Sequence, residues 1–346
     1  MIVRQGKYTL KLTSHPSIIG NAAVAGKTEG EGPLKNEFDS VFSDDTLGES
    51  SFEKAESALQ REAILRALDK AGKTPPDIDY ILAGDLLNQC IGTSFGIREF
   101  GIPFLGLYGA CSTMALSLGL ASVLVEAEAA RTAIASTSSH YCSAERQFRQ
   151  PLEYGGQRPQ TAQRTATAAG ASVVSAHSQN KPSVAAVTFG KIMDLGIKDA
   201  NNMGAAMAPA AAETISAFFE DTATNPDDYD LVLTGDLGKV GSSLVLDLLQ
   251  KDHNLDIAKL HNDCGLLIYD LEKQDVHAGG SGCGCAGSVF NSYILRRLQS
   301  GELKRVLLVA TGALLSPTST LQGESIPSIA HAVLIEAPQK PSGGTQ

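Results

Sequence analysis

The sequence predicts an α/β protein that is built from two copies of one structural unit. A buried strand that runs into a Gly-Asp pair occurs twice, over residues 77–86 and 228–237. A turn of small residues that leads into a helix also occurs twice, at residues 109–128 and 280–299. Because these features recur in the same order, we interpret the chain as an internal duplication of an α/β unit.

The two predicted halves comprise residues 1–180 and 181–346. In the first half, residues 51–71 carry apolar residues at helical spacing and are followed by Gly72, a residue typical of helix ends. Residues 1–50 contain few periodic runs, so we expect an opening strand and then a long exposed loop there.

Further strands and one long loop complete the predicted pattern. Residues 131–136 and 304–312 are buried strands that correspond to each other in the two halves. Residues 102–107 are a short apolar run, which predicts a buried strand before the first small-residue turn. The polar stretch at residues 141–164 has no periodicity, and we predict a loop that covers a site.

The composition of the 346-residue chain excludes several classes of function. Its formal net charge of −10 argues against a nucleic-acid partner and against adhesion to an anionic membrane. No apolar run approaches the roughly 20 residues of a membrane-spanning helix, and the N-terminus has no signal-peptide pattern. The six cysteines fit no extracellular disulfide framework in a chain of this length, which favours a reducing compartment.

Cys111 follows the Gly109-Ala110 turn and immediately precedes the small-residue helix. Backbone N–H groups and the helix dipole at such a position favour a thiolate. The same position can hold a nucleophile or bind an anionic ligand. A cysteine at a buried helix start is also common as a simple packed residue. These interpretations stay open at this point.

Polar side chains stand at the predicted carboxyl ends of parallel strands, where open α/β sheets bind ligands. Asp85 and Asp236 close the two Gly-Asp strands, and His140 follows a neighbouring strand. Either aspartate could instead cap the turn that follows it. Arg146 and Arg149 carry planar guanidinium groups that suit carboxylate binding, although solvated loop charges are the commoner explanation.

Cys283 and Cys285 are only weak evidence for a metal site. No second Cys or His pair has the spacing of zinc ligands, and the adjacent glycines indicate close packing instead. The sequence therefore predicts no bound metal and no cofactor.

Several motifs resemble those of known families. The duplicated α/β pattern with a Cys at the first elbow resembles the thiolase-like fold, which has five layers in the order αβαβα. Its nearest enzymatic likeness is β-ketoacyl-acyl carrier protein synthase III. More specific motifs, within residues 7–337, resemble the stage V sporulation protein AD family. These motifs are residues 82–89 (LAGDLLNQ), 109–113 (GACST), 144–149 (AERQFR), 207–212 (MAPAAA), 263–269 (DCGLLIY), 278–283 (AGGSGC) and 326–331 (IPSIAH).

That second resemblance implies a protein that binds dipicolinic acid, with or without calcium. It implies a component of the channel that moves calcium dipicolinate across the spore inner membrane, acting in uptake during sporulation and in release during germination. It also implies a peripheral location at that membrane and contacts with other channel subunits. By analogy of fold, a homodimer is a further expectation.

Departures from the catalytic motif of synthase III imply that the site binds a ligand without catalysing a reaction. Those enzymes use a His and an Asn besides the Cys, and the internal repeat places these positions at Gly235 and Cys283. The alternatives are an acyl-thioester condensing or transferase enzyme with Cys111 as its nucleophile, and a structural subunit with a vestigial pocket. The residues predicted to bind the ligand are Asp85, Asn88, Cys111, Ser138, Ser139, His140, Arg146, Arg149, Gly235, Asp236, Cys283 and His331.

Overall fold

Strands and helices alternate along most of the chain in the computed structural model, which describes residues 1–148 and 158–338. The strands of the first half are β1 (Ile2–Gln5), β2 (Thr9–Leu12), β3 (Ser17–Ala25), β4 (Ser40–Val41), β5 (Tyr80–Gly84), β6 (Phe104–Gly106), β7 (Thr132–Ser139), β8 (Arg164–Thr165) and β9 (Ala168–Ser175). Those of the second half are β10 (Ser183–Phe189), β11 (Leu231–Thr234), β12 (His261–Asp263), β13 (Gly280–Ser281), β14 (Arg305–Ala313) and β15 (Ser328–Glu336).

The helices follow the same alternation. They are α1 (Lys27–Gly30), α2 (Phe52–Ala71), α3 (Ile91–Ile97), α4 (Thr113–Glu126), α5 (Tyr141–Phe148), α6 (Met203–Thr222), α7 (Gly238–His253), α8 (Cys264–Leu267), α9 (Cys283–Val289), α10 (Leu295–Ser300) and α11 (Pro317–Leu321). A π-helical turn, Phe290–Ile294, joins α9 to α10. None of the helices in the described ranges is long and apolar enough to cross a membrane.

Two sets of five strands share one pattern of pairing. The strand order is β6-β5-β7-β9-β3 in the first set and β12-β11-β14-β15-β10 in the second. In each set the first three strands are mutually parallel, and the last two are joined by antiparallel pairing. The sets meet where Ser17 of β3 pairs with Ser183 of β10. The second set thus repeats the order of the first, and the division of the chain at residue 180 stays a prediction.

Helices and sheets are stacked in five layers. α2 packs on the outer face of the first set, while α6 and α7 cover the outer face of the second. α4 and α9 lie between the two sets and contact each other. This is the αβαβα order that the sequence predicts, and it places both elbow helices in the middle layer.

Local sequence explains the bounds of α2. At its N-terminus the Ser51 hydroxyl accepts a hydrogen bond from the Lys54 backbone N–H, and at its C-terminus Gly72 takes a left-handed φ of 62°. Leu59 and Ile64 are fully buried in the cluster beneath the helix. The predicted helix over residues 51–71 is confirmed. Its capping residues and its apolar positions can both be recognised in the local sequence.

Small residues let the middle-layer helices approach the sheets closely. A Cβ atom added at Gly170 of β9 would lie 2.1 Å from the backbone oxygen of Gly287 in α9. Further along, the Asn21 side chain donates a hydrogen bond of 2.6 Å to the backbone oxygen of Asn291 within the π-helical turn. The first contact brings α9 against the sheet, and the second satisfies a carbonyl of the widened turn.

The structure corrects three predictions about individual segments. Residues 1–50 contain β1 to β4, and β3 is a central strand rather than the start of a long loop. The strand near residues 102–107 lies at an edge of its set, so Leu105 is 42% exposed and the predicted burial is wrong. Residues 141–148 form the helix α5 instead of a loop, and Ala144 of this helix packs against Cys111.

Candidate ligand-binding cleft at the Cys111 elbow

The first elbow places Cys111 between β6 and the start of α4. Ala110 has a left-handed φ of 49°, and the Ser112 N–H donates a hydrogen bond of 3.0 Å to the Gly109 oxygen, which closes the turn. A Cβ atom at Gly312 of β14 would lie 2.2 Å from the Gly109 oxygen. The turn therefore packs directly against the second half of the chain, and Cys111 lies where the halves meet.

Cys111 forms part of the wall of a cleft between the two halves. The space between its walls is about 440 Å³, a volume that includes open solvent. Most of the lining is apolar. The lining residues are Leu86, Tyr108, Ala110, Cys111, Ala144, Glu145, Phe148, Thr165, Met203, Ser281, Ala313 and Leu315.

The Cys111 thiol lies in an environment that keeps it protonated. Its side chain contacts the Asp236 carboxyl group, the Ser281 hydroxyl and the Gly282 N–H. Burial, followed by the negative charge of Asp236, raises the pKa of the Cys111 thiol well above its usual range. Desolvation and a neighbouring carboxylate thus oppose the effect of the helix N-terminus, which favours a thiolate.

Asp236 is fully buried and lies two residues after the end of β11. Its Oδ2 accepts hydrogen bonds from the Gly282 N–H at 2.8 Å and the Ser281 hydroxyl at 3.2 Å, and its Oδ1 accepts one from the Thr311 hydroxyl at 2.9 Å. Burial raises the pKa of Asp236 to about 7 although these hydrogen bonds lower it. A carboxyl group that changes its charge near neutral pH is thus in contact with the Cys111 thiol.

Cys283 begins the second elbow helix and packs in the same apolar cluster as Cys111. Its thiol donates a hydrogen bond of 2.9 Å to the Ser138 backbone oxygen. The Ser139 hydroxyl donates to the Ala166 oxygen at 2.7 Å and accepts from the Gly284 N–H at 3.1 Å. The structure therefore brings the predicted residues of β7 and of the second elbow together, and these hydrogen bonds hold the elbow in place.

Gly235, at the position expected for the catalytic His of synthase III, contributes only backbone. Its N–H donates a hydrogen bond of 3.0 Å to the Val309 oxygen. A Cβ atom there would lie 3.0 Å from the Ala310 Cα and 3.2 Å from the Thr311 nitrogen. The neighbouring strand β14 therefore leaves little room for a side chain at this position.

Asp85 stabilises a neighbouring loop and does not line the cleft. Its Oδ1 accepts a hydrogen bond from the Leu87 N–H at 2.8 Å, and its Oδ2 accepts two from Thr93, at 2.7 Å and 2.6 Å. Glu56 of α2, which no motif indicated, is fully buried nearby and accepts a hydrogen bond of 2.6 Å from the Ser143 hydroxyl. Burial and the adjacent charge of Asp85 raise the pKa of Glu56 well above its usual range.

Asn88 and Arg146 line a separate surface groove. The Arg146 guanidinium forms an ion pair with Glu53, and the Gln147 side chain donates a hydrogen bond of 3.2 Å to Asn88 Oδ1. Both predicted residues are thus placed outside the cleft that Cys111 lines. Arg149, the other predicted guanidinium, lies outside the described residues.

The two predicted histidines have structural partners away from the cleft lining. His140 Nε2 bonds the Asp45 carbonyl at 2.7 Å, and its Nδ1 accepts a hydrogen bond from the Cys142 N–H at 3.1 Å. His331 Nδ1 accepts one from the Gly190 N–H at 3.3 Å. Burial lowers the pKa of both rings, that of His331 to about 4. Both imidazoles are therefore held as neutral groups near pH 7.

Several lining residues were missed in the sequence. Ser281 lies within the AGGSGC motif, but nothing in the motif distinguished it from its neighbours. Phe148, Met203 and Leu315 come from three separate segments and carry no local pattern that indicates a site. Burial, together with the nearby thiols, raises the pKa of Tyr108 to about 12, so its hydroxyl stays protonated at the cleft. Within residues 1–148 and 158–338, no three His, Cys, Asp or Glu side chains are placed to hold a metal ion.

Solved structures similar to this chain define its fold class. The 3-oxoacyl-[acyl-carrier-protein] synthase III from Aquifex aeolicus VF5 is similar with a TM-score of 0.54 and 13% identity, over 93% of this chain and 99% of that one. OleA from Xanthomonas campestris, with acetamide bound, is similar with a TM-score of 0.59 and 13% identity, over 93% and 98%. The chain has the thiolase-like fold of these condensing enzymes.

Sequence comparison defines the family. The model of the stage V sporulation protein AD (SpoVAD) family matches residues 6–336. The stage V sporulation protein AD of Bacillus subtilis (strain 168) is 48% identical over 323 residues, which cover 93% of this chain and 95% of that protein. This chain belongs to the stage V sporulation protein AD family, as its motifs predict.

Proposed function

We propose that this protein binds dipicolinate, free or as its calcium chelate, in the cleft over Cys111 and catalyses no reaction there. It acts in the channel of the spore inner membrane, in dipicolinate uptake during sporulation and release during germination. The observation that carries the proposal is a cleft lined by Cys111, in a chain where Gly235 and Cys283 stand at the positions predicted for the His and Asn of synthase III.

The lining of the cleft suits a planar aromatic dicarboxylate. Tyr108, Phe148 and Leu315 offer apolar and aromatic surface to the faces of a pyridine ring. The Thr165 hydroxyl, which also lines the cleft, is a candidate donor to a carboxylate oxygen, whereas the Ser281 hydroxyl donates to Asp236. A ligand with a flat apolar body and polar ends matches this arrangement of surfaces.

The immediate surroundings of Cys111 argue against acyl transfer. Condensing chemistry needs a thiolate and donors that stabilise charge on a thioester oxygen. The Cys111 thiol is held neutral, Gly235 has no side chain, and the Cys283 thiol is directed to the Ser138 carbonyl. The alternative is an acyl-thioester condensing or transferase enzyme that uses Cys111. Such an enzyme would lack, at positions 235 and 283, the donors that stabilise charge on a thioester oxygen.

Association with the membrane is expected to depend on protein partners. The formal net charge of −10 disfavours direct binding to anionic lipid headgroups. Other subunits of the channel are therefore the proposed contacts that hold the protein at the spore inner membrane. A second copy of the chain remains a proposed partner by analogy of fold.

Calorimetric titration of the purified protein with dipicolinate, with and without calcium, tests the proposal. We expect saturable binding to the wild type and at least a tenfold loss of affinity, about 1.4 kcal/mol, for Cys111→Leu, whose larger side chain fills the cleft. Cys111→Ala should weaken binding less, because the thiol is a contact and not the main anchor.

Cys142→Leu is the matched control, because Cys142 is on α5 but does not line the cleft. Each variant is first checked for a native melting transition. Absence of binding to the wild type, or equal affinity in the wild type and Cys111→Leu, would contradict the proposed site.

A further inference from the structure

Asp236 is positioned to control the polarity of the cleft wall without lining the cleft itself. Two polar lining residues, Cys111 and Ser281, both contact its carboxyl group. Asp236 is 0% exposed, so a ligand in the cleft reaches it only through these two side chains. The charge of Asp236 therefore decides how both lining groups direct their hydrogen atoms.

The hydrogen bonds around Asp236 differ between its two protonation states. The ionised carboxylate accepts from the hydroxyls of Thr311 and Ser281 and from the Gly282 N–H, and the Cys111 thiol lies beside it. In that state the Ser281 and Cys111 hydrogens are directed to Asp236, and lone pairs face the cleft. A carboxylate ligand would meet acceptors and a buried negative charge there.

Protonation of Asp236 reverses this arrangement. The carboxyl O–H can donate to the Ser281 or the Cys111 side chain, since hydroxyl and thiol hydrogens rotate freely about their bonds. The lining side chain that accepts this proton then directs its own hydrogen into the cleft. The wall becomes a donor surface, and the opposing negative charge beneath it is gone.

We propose that the binding of a carboxylate ligand at Cys111 is coupled to the uptake of one proton by Asp236, so that ionisation of Asp236 releases the ligand. This inference rests on the function proposed above, and it adds a means of regulation to the same cleft. No covalent step is involved, because the proton is taken from solvent and returned to it.

The other titratable groups near Asp236 do not explain a pH-dependent change of the cleft wall between hydrogen-bond acceptor and donor. Asp263 lies near Asp236, and burial raises the pKa of Asp263 too, but its carboxyl group accepts hydrogen bonds from Thr234, Leu237 and Gly238, none of which lines the cleft. The remaining neighbours are thiols whose pKa values are raised by burial, so they stay neutral near pH 7. These thiols are Cys111, Cys264, Cys283 and Cys285.

The direction of the pH dependence follows from this geometry. Burial places the pKa of Asp236 at about 7 without a ligand, and a bound carboxylate would raise it further. Proton uptake on binding therefore occurs above about pH 7, where free Asp236 is ionised. The ligand's own carboxyl groups titrate near pH 4, so they stay ionised throughout this range.

Calorimetric titration with calcium-free dipicolinate at about pH 6, 7 and 8.5, in buffers of different ionisation enthalpy, tests the coupling. For the wild type we expect affinity to fall by about tenfold per pH unit above pH 7, with uptake approaching one proton per ligand. Asp236→Asn should remove both effects and bind with the same affinity at each pH. The neutral diamide of the same ligand is the matched probe and should show a weaker pH dependence with the wild type, because it carries no charge to be repelled by ionised Asp236.

If Asp236→Asn lacks a native melting transition, a second variant can be used to test the coupling. Thr311→Val removes one hydroxyl donor to the carboxylate, which should raise the pKa of Asp236 and move the fall in affinity upward, on the order of one pH unit. Wild-type binding with constant affinity and no buffer-dependent heat would overturn the coupling and leave the proposed function intact. No binding at any pH would contradict the proposed function itself.

Discussion

The Cys283 thiol donates a hydrogen bond of 2.9 Å to the backbone oxygen of Ser138, and this bond ties the second elbow to the first half of the chain. Cys283 is fully buried at the start of α9, and Ser138 belongs to β7. A group that stabilises a thioester must direct its donor into the site. The donor at this position is directed into the scaffold instead.

We predict that the protein forms no carbon–carbon bond from acyl thioesters. Incubation with acetyl-CoA and malonyl or acetoacetyl thioesters should give no condensation product, because Cys111 stays protonated and Gly235 and Cys283 supply no donors to the substrate. A synthase III enzyme under the same conditions is the positive control. Turnover that Cys111→Ser abolishes would instead support the enzymatic alternative.

The two predicted arginines should differ in their effect on ligand binding. Arg146 is paired with Glu53 in the groove that it shares with Asn88, so Arg146→Ala should leave dipicolinate affinity within about twofold. Arg149 directly follows the lining residue Phe148 in sequence, and its loss should weaken binding by about 10- to 150-fold, or roughly 1.5–3 kcal/mol. Calorimetric titration of both variants measures the difference. A loss for Arg146→Ala with none for Arg149→Ala would reverse this assignment.

Gly170→Ala should destabilise the fold strongly. The added Cβ would lie 2.1 Å from the Gly287 backbone oxygen, and two backbones must separate to admit it. We expect a loss of about 3 kcal/mol in the free energy of unfolding, measured with urea. Gly72→Ala is the control. A Cβ atom at Gly72 would contact no other atom, so the substitution adds only the backbone strain of a left-handed φ, about 1 kcal/mol. Equal losses for the two variants would contradict the close packing of α9 on β9.

Glu56→Gln should reduce the loss of stability that accompanies rising pH. The pKa of Glu56 is higher in the folded chain than in the unfolded chain, so folding binds a proton above about pH 4.3. Its contribution to stability therefore falls as pH rises from that value through the raised pKa. Gln cannot ionise, so the variant should lose less unfolding free energy than the wild type between about pH 5 and 8.

Urea unfolding at the two pH values measures this difference. Glu62→Gln is the control on the same helix, since Glu62 is partly exposed and paired with Arg66. Identical pH dependence in the wild type and Glu56→Gln would contradict a raised pKa of Glu56 in the folded chain.

The parts of the fold that local sequence encodes were predicted well. Ser51 and Gly72 end α2 through their own side chain and backbone, so the sequence alone locates that helix. The edge position of β6 depends on which strands lie beside it, and no local pattern reports this. The helix α5 forms over a stretch whose few apolar residues, such as Ala144, find their contacts only in the folded chain.

The sequence predicts only some of the residues that the structure brings together around Cys111. Strand topology correctly places Asp236 beside Cys111, because both lie at the carboxyl edge of the sheets. Topology does not say which way a side chain is turned, and Asp85 is turned to the loop that begins α3. Phe148, Met203 and Leu315 converge from distant segments, which only the folded chain reveals.

A structure of the protein determined with dipicolinate tests the central claim most directly. We predict ligand density in the cleft, with the ring beside Phe148 and Leu315 and an edge of the ligand in contact with the Cys111 Sγ and the Ser281 hydroxyl. The ligand should be absent from the same cleft in Cys111→Leu prepared identically. Density in the groove between Asn88 and Arg146, with the Cys111 cleft empty, would contradict the account.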